Sequence, residues 1–293
     1  MTAEYVRTPE ERFRDLSEYP FAPNWFMWQG LRIHYIDEGA GPAVVLFHGE
    51  PTWSYLWRKP ITALVSAGFR AVAPDFLGFG KSDKPTEAGF YSYRRHTAAA
   101  RALIDALDVE EATAVVHDWG GPIGLRVAVE SGRFNRLVLL DTGLYSGGSP
   151  SPGFTRWRRF VEENPDLPVD AVMRNAATTD WPASVYAAYE SPFPDPVHKV
   201  GAWRFPLLVP MTDRDPGAVE MRRVSEALRH WERPAHLLWG KDDPIIPPAV
   251  AERFAALIPG AGAPVLVAGA GHFLQEDRGA EVAEHIVKVV SNS

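Results

Sequence analysis

Residues 113–124 read TAVVHDWGGPIG. The run Thr113–Val116 has strand character, and it leads directly into His117, Asp118 and Trp119. Gly120 and Gly121 then permit a tight entry into a helix over Gly121–Glu130. A strand that turns sharply into a helix has the geometry of a nucleophile elbow, whose middle residue stands exposed above a sheet. Here that residue is Asp118. A carboxylate at this point faces the positive end of the helix and its free N–H groups, which keeps it ionised at neutral pH. An aspartate at a strand-to-helix junction also serves as a plain N-cap, so its partners must decide between the two roles.

Working outward, short apolar runs alternate with helical stretches. Strands are expected at Leu31–Asp37, Ala43–Phe47, Phe69–Ala73 and Arg136–Leu140, with helices at Ser54–Ala67 and Ser92–Leu107. Several of these strands are apolar throughout rather than alternating, as in a parallel sheet covered on both faces. The regular succession predicts an α/β protein with a mostly parallel, doubly wound sheet. The rhythm breaks after Asp141. Residues 143–215 are rich in proline and tryptophan and contain no convincing strand; they open on GLYSGGSPSPG and close near MTDRDPG. This block reads as a helical insertion. The pattern then resumes with strand Ala235–Trp239, a helix near Pro248–Leu257, strand Pro264–Val267 and a final helix Ala280–Val290. The expected division is core at 1–142, cap at 143–215 and core again at 216–293.

The 293 residues are ample for a substantial core. With 30 Lys+Arg against 37 Asp+Glu the net charge is −7, which leaves no basic surplus for binding nucleic acid. The absence of cysteine excludes disulfides, thiolate metal sites and a cysteine nucleophile. MTAEYVRTPEERFRDL is charged where a secretory leader would need an apolar run. No segment approaches the roughly 20 apolar residues of a membrane span. A cytoplasmic protein without membrane contact is expected.

A carboxylate nucleophile suits attack on a saturated carbon bearing a leaving group, forming an ester that water must then hydrolyse. Hydrolysis calls for a base and for oxyanion donors. GAGHFLQED places His272 in a loop after the last strand, within reach of the sheet top. WGKDDPIIP offers Asp242 and Asp243, either of which could fix the imidazole. The order nucleophile, acid, base is that of α/β-hydrolases. HGEPTWSYLWR presents the Glu50 N–H beside Asp118, making a two-donor oxyanion hole with the N–H of Trp119. His48 is expected to brace that loop. The Trp119 indole has a donor and no acceptor, so in an apolar pocket it could hold an anion such as a released halide.

HGEPTWSYLWRKPI, PDFLGFGKSDKP, VVHDWGGPIG, AYESPFPD, FPLLVP and GHFLQED together resemble the haloalkane dehalogenases, in the branch that carries HGEP. The similarity runs from about Arg7 to the final helix. It implies an α/β-hydrolase fold with a helical cap inserted after the sixth strand. It also implies hydrolysis of a small apolar halogenated substrate by water to alcohol and halide, with no cofactor and no metal. Asp118 corresponds to the nucleophile and His272 to the base. The acid falls three residues after Gly240, at Asp243. Glu50 and Trp119 correspond to the oxyanion donors, and the Trp119 indole to one of two halide contacts. The second halide-binding tryptophan of that branch falls at Ala176; Trp181 or another cap tryptophan could take its place, or one halide donor is missing. The nearest alternative is an epoxide hydrolase using the same triad with Tyr145, Tyr186 and Tyr189 as proton donors. A non-catalytic binder would need a broken triad, which this chain does not have.

Overall fold

A computed structural model describes residues 3–147 and 150–292. Met1 and Thr2 of the charged N-terminal stretch, Gly148 and Ser149 of the segment opening the insertion, and Ser293 lie outside the described residues. The central sheet has eight strands: β1 (Asn24–Trp28), β2 (Leu31–Glu38), β3 (Ala43–Phe47), β4 (Arg70–Pro74), β5 (Ala112–His117), β6 (Phe134–Leu140), β7 (Ala235–Gly240) and β8 (Val265–Val267). Their order across the sheet is β8-β7-β6-β5-β3-β4-β2-β1. The pairings from β8 through β4 are parallel, and β2 and β1 join antiparallel at one edge. Every residue of β3 and β5 is buried, which explains the unbroken apolar sequence of β3 and the apolar run Ala114–Val116 of β5.

The chain leaves β3 toward β4 on one side and returns to β5 on the other. This reversal opens a crevice at the carboxyl ends of β3 and β5, where ligands bind in open α/β sheets. Helices α1 (Arg58–Ser66), α2 (Tyr93–Ala106) and α3 (Gly120–Ser131) connect these strands. Between β6 and β7 lie α4 (Pro152–Glu163), α5 (Val169–Ala176), α6 (Ala183–Glu190) and α7 (Val200–Leu207), followed by α8 (Ala218–Leu228). Helices α9 (Ala249–Leu257), α10 (Leu274–Asp277) and α11 (Gly279–Ser291) complete the chain. None of the described helices is long and apolar enough to cross a membrane.

Several elements differ from the sequence reading, three of them large enough to matter for the core. Strand β1 was not anticipated; it forms a hairpin with β2 in which Trp28 pairs with Leu31 across Gln29 and Gly30, both at positive φ. That is the two-residue type I′ turn. The expected helix Ser54–Ala67 begins as a 3₁₀ turn over Ser54–Trp57. Pro60 has no N–H to return to the Leu56 carbonyl, so the α-helix starts at Arg58 with proline in its first turn. Helix α8 was also missed, although Met221, Val224 and Leu228 bury one helical face.

Candidate active site

Asp118 follows β5 directly and has φ of +48°. Non-glycine residues rarely occupy that region, and they persist there only when the surroundings over-determine it. The surroundings do. The Asp118 N–H donates to the Asp141 carbonyl at 3.2 Å. The Asp118 carbonyl accepts from Gly121 N–H at 2.9 Å and from the Thr142 hydroxyl at 2.6 Å. A Cβ at Gly120 would run into the Phe47 carbonyl, so only glycine lets the helix start this close to β3. The register pairs Phe47 with Val116. That alignment sets the loop after β3 beside the elbow, and Glu50 N–H donates to Asp118 Oδ1 at 2.8 Å. No bond forms between the Trp119 amide and this carboxylate among the described residues.

The HGEP loop is held by His48, as expected from sequence. Its Nδ1–H donates to the Gly49 carbonyl at 2.7 Å, and its Nε2 accepts from Phe76 N–H at 2.9 Å. Burial lowers its pKa, so the ring stays neutral in that tautomer. Glu50 is buried as well. Burial, reinforced by the nearby Asp118 charge, holds its carboxyl pKa well above the usual range.

His272 lies across the crevice, with Nε2 3.6 Å from Asp118 Oδ2. Its Nδ1–H donates to Asp243 Oδ2 at 2.8 Å. Asp243 Oδ1 accepts from the amides of Ile245 at 2.7 Å and Ile246 at 3.0 Å. The acid is therefore immobilised before it orients the base. Asp242 instead lies on the cavity wall with an exposed side chain. Burial opposes charge on His272, but Asp243 and Asp118 outweigh it and hold the imidazole pKa well above its ordinary value. Burial likewise opposes ionisation of Asp118, and the facing His272, then His117 and the Glu50 amide, bring its pKa below the usual carboxylate range.

Two supporting residues escaped the sequence reading. His117 donates from Nε2 to the His272 carbonyl at 2.7 Å, while burial drives its pKa down to about 3. Asp141, at the end of β6, accepts the Gly240 amide on both carboxyl oxygens at 3.0 and 3.1 Å. Burial and the proximity of Asp243 push its pKa well above the usual value.

Above Asp118 lies a cavity of about 430 Å³. Its floor is Glu50, Asp118, Trp119 and His272; its apolar walls include Phe154, Trp157, Val172, Ala176 and Phe273. The inserted helices thus enclose a largely apolar space over the carboxylate.

Trp119 joins this wall, and its indole N–H meets no protein acceptor among the described residues. Trp181 does not, and the expectation of a halide contact there is corrected. Its Nε1–H is consumed by Asp277 Oδ1 at 2.9 Å, and its ring stacks on Tyr186 outside the cavity. The second indole on the wall belongs to Trp157 of α4. Its placement was foreshadowed by spacing: Phe154, Trp157 and Val161 follow a helical period, and Phe154 and Val161 are buried. Of the three tyrosines considered for epoxide opening, only Tyr145 lines the cavity. Tyr186 stacks on Trp181, and the Tyr189 hydroxyl donates to Glu276 at 2.6 Å.

Sheet order, elbow and triad together define an α/β-hydrolase with a carboxylate at the nucleophile position. Residues 42–279 match the family model described as alpha/beta hydrolase fold. Among curated proteins, a haloalkane dehalogenase of Mycobacterium marinum is 42% identical over 96% of this chain and 98% of its own length. One from Psychrobacter cryohalolentis is 40% identical, covering 98% of both chains. The solved tetrameric haloalkane dehalogenase DpaA from Paraglaciecola agarilytica NO2 superposes with a TM-score of 0.92 at 35% identity, covering 96% of this chain and 97% of that one. The chain belongs to the haloalkane dehalogenases.

Proposed function

We propose that this protein hydrolyses the carbon–halogen bond of haloalkanes through an alkyl ester on Asp118. The observation that carries the reading is an ionised carboxylate at the floor of an apolar cavity, backed by the His272–Asp243 pair. An Asp118 oxygen attacks the halogen-bearing carbon; the carbon–halogen bond breaks and its electron pair leaves with the halide. Water then gives a proton to His272 Nε2 while its oxygen attacks the ester carbonyl carbon. The tetrahedral intermediate collapses, the alkyl–oxygen fragment leaves as the alcohol with the hydroxyl proton, Asp118 returns as the carboxylate, and His272 gives the proton it took to solvent, matching the halide released. The Glu50 N–H, already on Oδ1, stabilises the oxyanion formed on that oxygen, with the Trp119 amide as the second donor. No cofactor or metal takes part in this scheme.

Electrostatics times the two steps. In the resting site Asp118 and Asp243 both favour the imidazolium. Alkylation converts Asp118 to a neutral ester and removes one of those charges, so the His272 pKa falls just when a free base is needed. Asp243 remains to steady the imidazolium once it has taken the proton of water.

The halide departs toward the Trp119 indole N–H, with Trp157 the other tryptophan on the cavity wall. The domain division at 142/143 and 215/216 follows from the same reading, the inserted segment acting as the cap over the reaction. A cytoplasmic protein that takes a small halogenated molecule and water, releases halide, and binds neither nucleic acid nor membrane fits the net charge of −7 and the apolar cavity. Epoxide opening by the tyrosine route would require Tyr145, Tyr186 and Tyr189 to protonate the alkoxide, and of these three only Tyr145 lies on the cavity wall.

The test sets matched bromoalkane, epoxide and ester panels side by side. Bromide and alcohol should form in equal amounts from the first panel, and Asp118→Ala should lower turnover on the order of 10⁴-fold or more. His272→Phe should release one equivalent of bromide and gain the mass of the alkyl group. Turnover by Asp118→Ala near that of the parent enzyme would refute the scheme.

A further inference from the structure

Asp277 is buried, yet among the described residues no cation lies within ion-pairing distance of it. Its neighbour Glu276 is paired with Arg58; Asp277 is held by neutral donors alone. Oδ1 accepts from Thr178 N–H at 3.1 Å, from the Thr179 hydroxyl at 3.2 Å and from Trp181 Nε1–H at 2.9 Å. Oδ2 accepts from Gly271 N–H at 2.9 Å. One carboxylate therefore divides its two oxygens between two parts of the molecule. One oxygen takes the strap 178–181 that leads from α5 to α6, and the other takes the residue preceding the base.

Both parts border the cavity. Ala176, Ala177 and Thr178 form one wall, and His272 and Phe273 the next. The two are in contact: a Cβ on Gly271 would meet Thr178 Cγ2 at 2.8 Å, and the Thr178 hydroxyl donates to the Gly269 carbonyl at 3.1 Å. The main chain around the base is then fixed at both ends, by Asp277 on Gly271 N–H and by His117 on the His272 carbonyl. A buried charge is costly unless fully hydrogen-bonded, and here every donor comes from a segment that shapes the site.

We infer that Asp277 is a positioning residue that aligns His272 for ester hydrolysis and seats the strap 178–181 against the base's loop. The inference rests on the two-step reading above. The two oxygens make it separable. In Asp277→Asn the amide oxygen can still serve the strap, but the NH₂ would then face the Gly271 N–H, donor against donor. That variant loosens the base and spares the strap. Trp181→Phe does the reverse, removing a strap donor while the Gly271 bond remains.

The attack by Asp118 does not use His272, whereas hydrolysis does. Asp277→Asn should therefore slow the second step about tenfold to a hundredfold, the scale on which small misplacements act. Steady-state kinetics with 1-bromobutane should show kcat and KM falling together with kcat/KM unchanged, and intact mass should show the butyl adduct accumulating. Trp181→Phe should show no adduct, and Asp277→Glu should not restore hydrolysis, because the longer side chain cannot keep both oxygens in register. Unfolding midpoints of the variants are measured alongside, since a purely structural role lowers stability without accumulating adduct. An adduct hydrolysed by Asp277→Asn as fast as by the parent, or a loss of kcat/KM without adduct, would overturn the inference while the covalent reading stands. No bromide release by the parent enzyme would overturn both.

Discussion

At the scale of single residues, the site depends on where donors end up rather than on which donors are present. The chain carries 10 tryptophans, and two of their indoles can be compared directly. Trp157 lies on the cavity wall, and Trp181 spends its N–H on Asp277. Trp157→Phe should weaken bromide binding by a charge-assisted hydrogen bond, about 1.5–3 kcal/mol or roughly tenfold to a hundredfold. Trp181→Phe should leave bromide affinity unchanged. Titrating intrinsic fluorescence with bromide checks both; equal losses would place the two indoles in one site and contradict the geometry. Asp118, Asp243 and His272 were legible in sequence because each lies within a few residues of the strand end that presents it. The inward face of α4 shows in the spacing of Phe154, Trp157 and Val161, but Asp277 was not legible, since its bonds join segments far apart in the chain, such as Thr178 with Asp277. No local pattern records such a pairing.

At the scale of elements, the buried strands were the easiest to read, because β3 and β5 are buried on both faces where they cross the centre of the sheet and so are largely apolar. Strand β1 was harder. Its burial is partial throughout and Met27 is exposed, so it lacks the apolar continuity of the inner strands. Helices α4 to α7 were predictable as helical, but their path over the cavity was not, because it depends on packing against the core. The carboxyl end of α5 shows the consequence. Ala176 stands where the resemblance implies tryptophan, and with Ala177 it leaves that wall low. A cavity of about 430 Å³ falls within the usual range for small-molecule sites and exceeds the needs of a two-carbon substrate. Ala176→Trp should fill part of it and move the preferred substrate toward shorter chains. The expected change in relative kcat/KM is tenfold or more in favour of bromoethane over bromohexane, within the roughly 1–3 kcal/mol available per methylene in an apolar pocket. An unchanged chain-length profile would mean that substrate does not lie along α5.

At the scale of the whole molecule, the first half of the core, the insertion and the C-terminal segment meet at one buried ion pair. Arg58 of α1 forks onto Glu276 of α10, with Nη1 bonded to Oε1 and Nη2 to Oε2 at 2.8 Å. The Tyr189 hydroxyl of α6 donates to Oε1 of the same carboxylate at 2.6 Å. Arg58 is fully buried over the Tyr55 ring, at 4.1 Å from its centroid. Removing one member of such a cluster costs more than the cluster contributes, because the partner is left charged and buried. Arg58→Met would leave Glu276 with the Tyr189 hydroxyl and with Lys59, whose Nζ is 3.6 Å away. The expected loss is about 3–5 kcal/mol, which lowers the midpoint of thermal unfolding by roughly 6–15 °C. Replacing the charges together should restore most of it: in Arg58→Met with Glu276→Leu and Tyr189→Phe, neither the Glu276 charge nor the Tyr189 hydroxyl remains to be left without Arg58. Urea unfolding of the single and triple variants distinguishes the cases. A single variant as stable as the parent would show that Lys59 and the Tyr189 hydroxyl suffice for Glu276. A triple variant no better than the single would show that the cluster holds the three segments together through its own geometry, beyond the cost of an orphaned carboxylate.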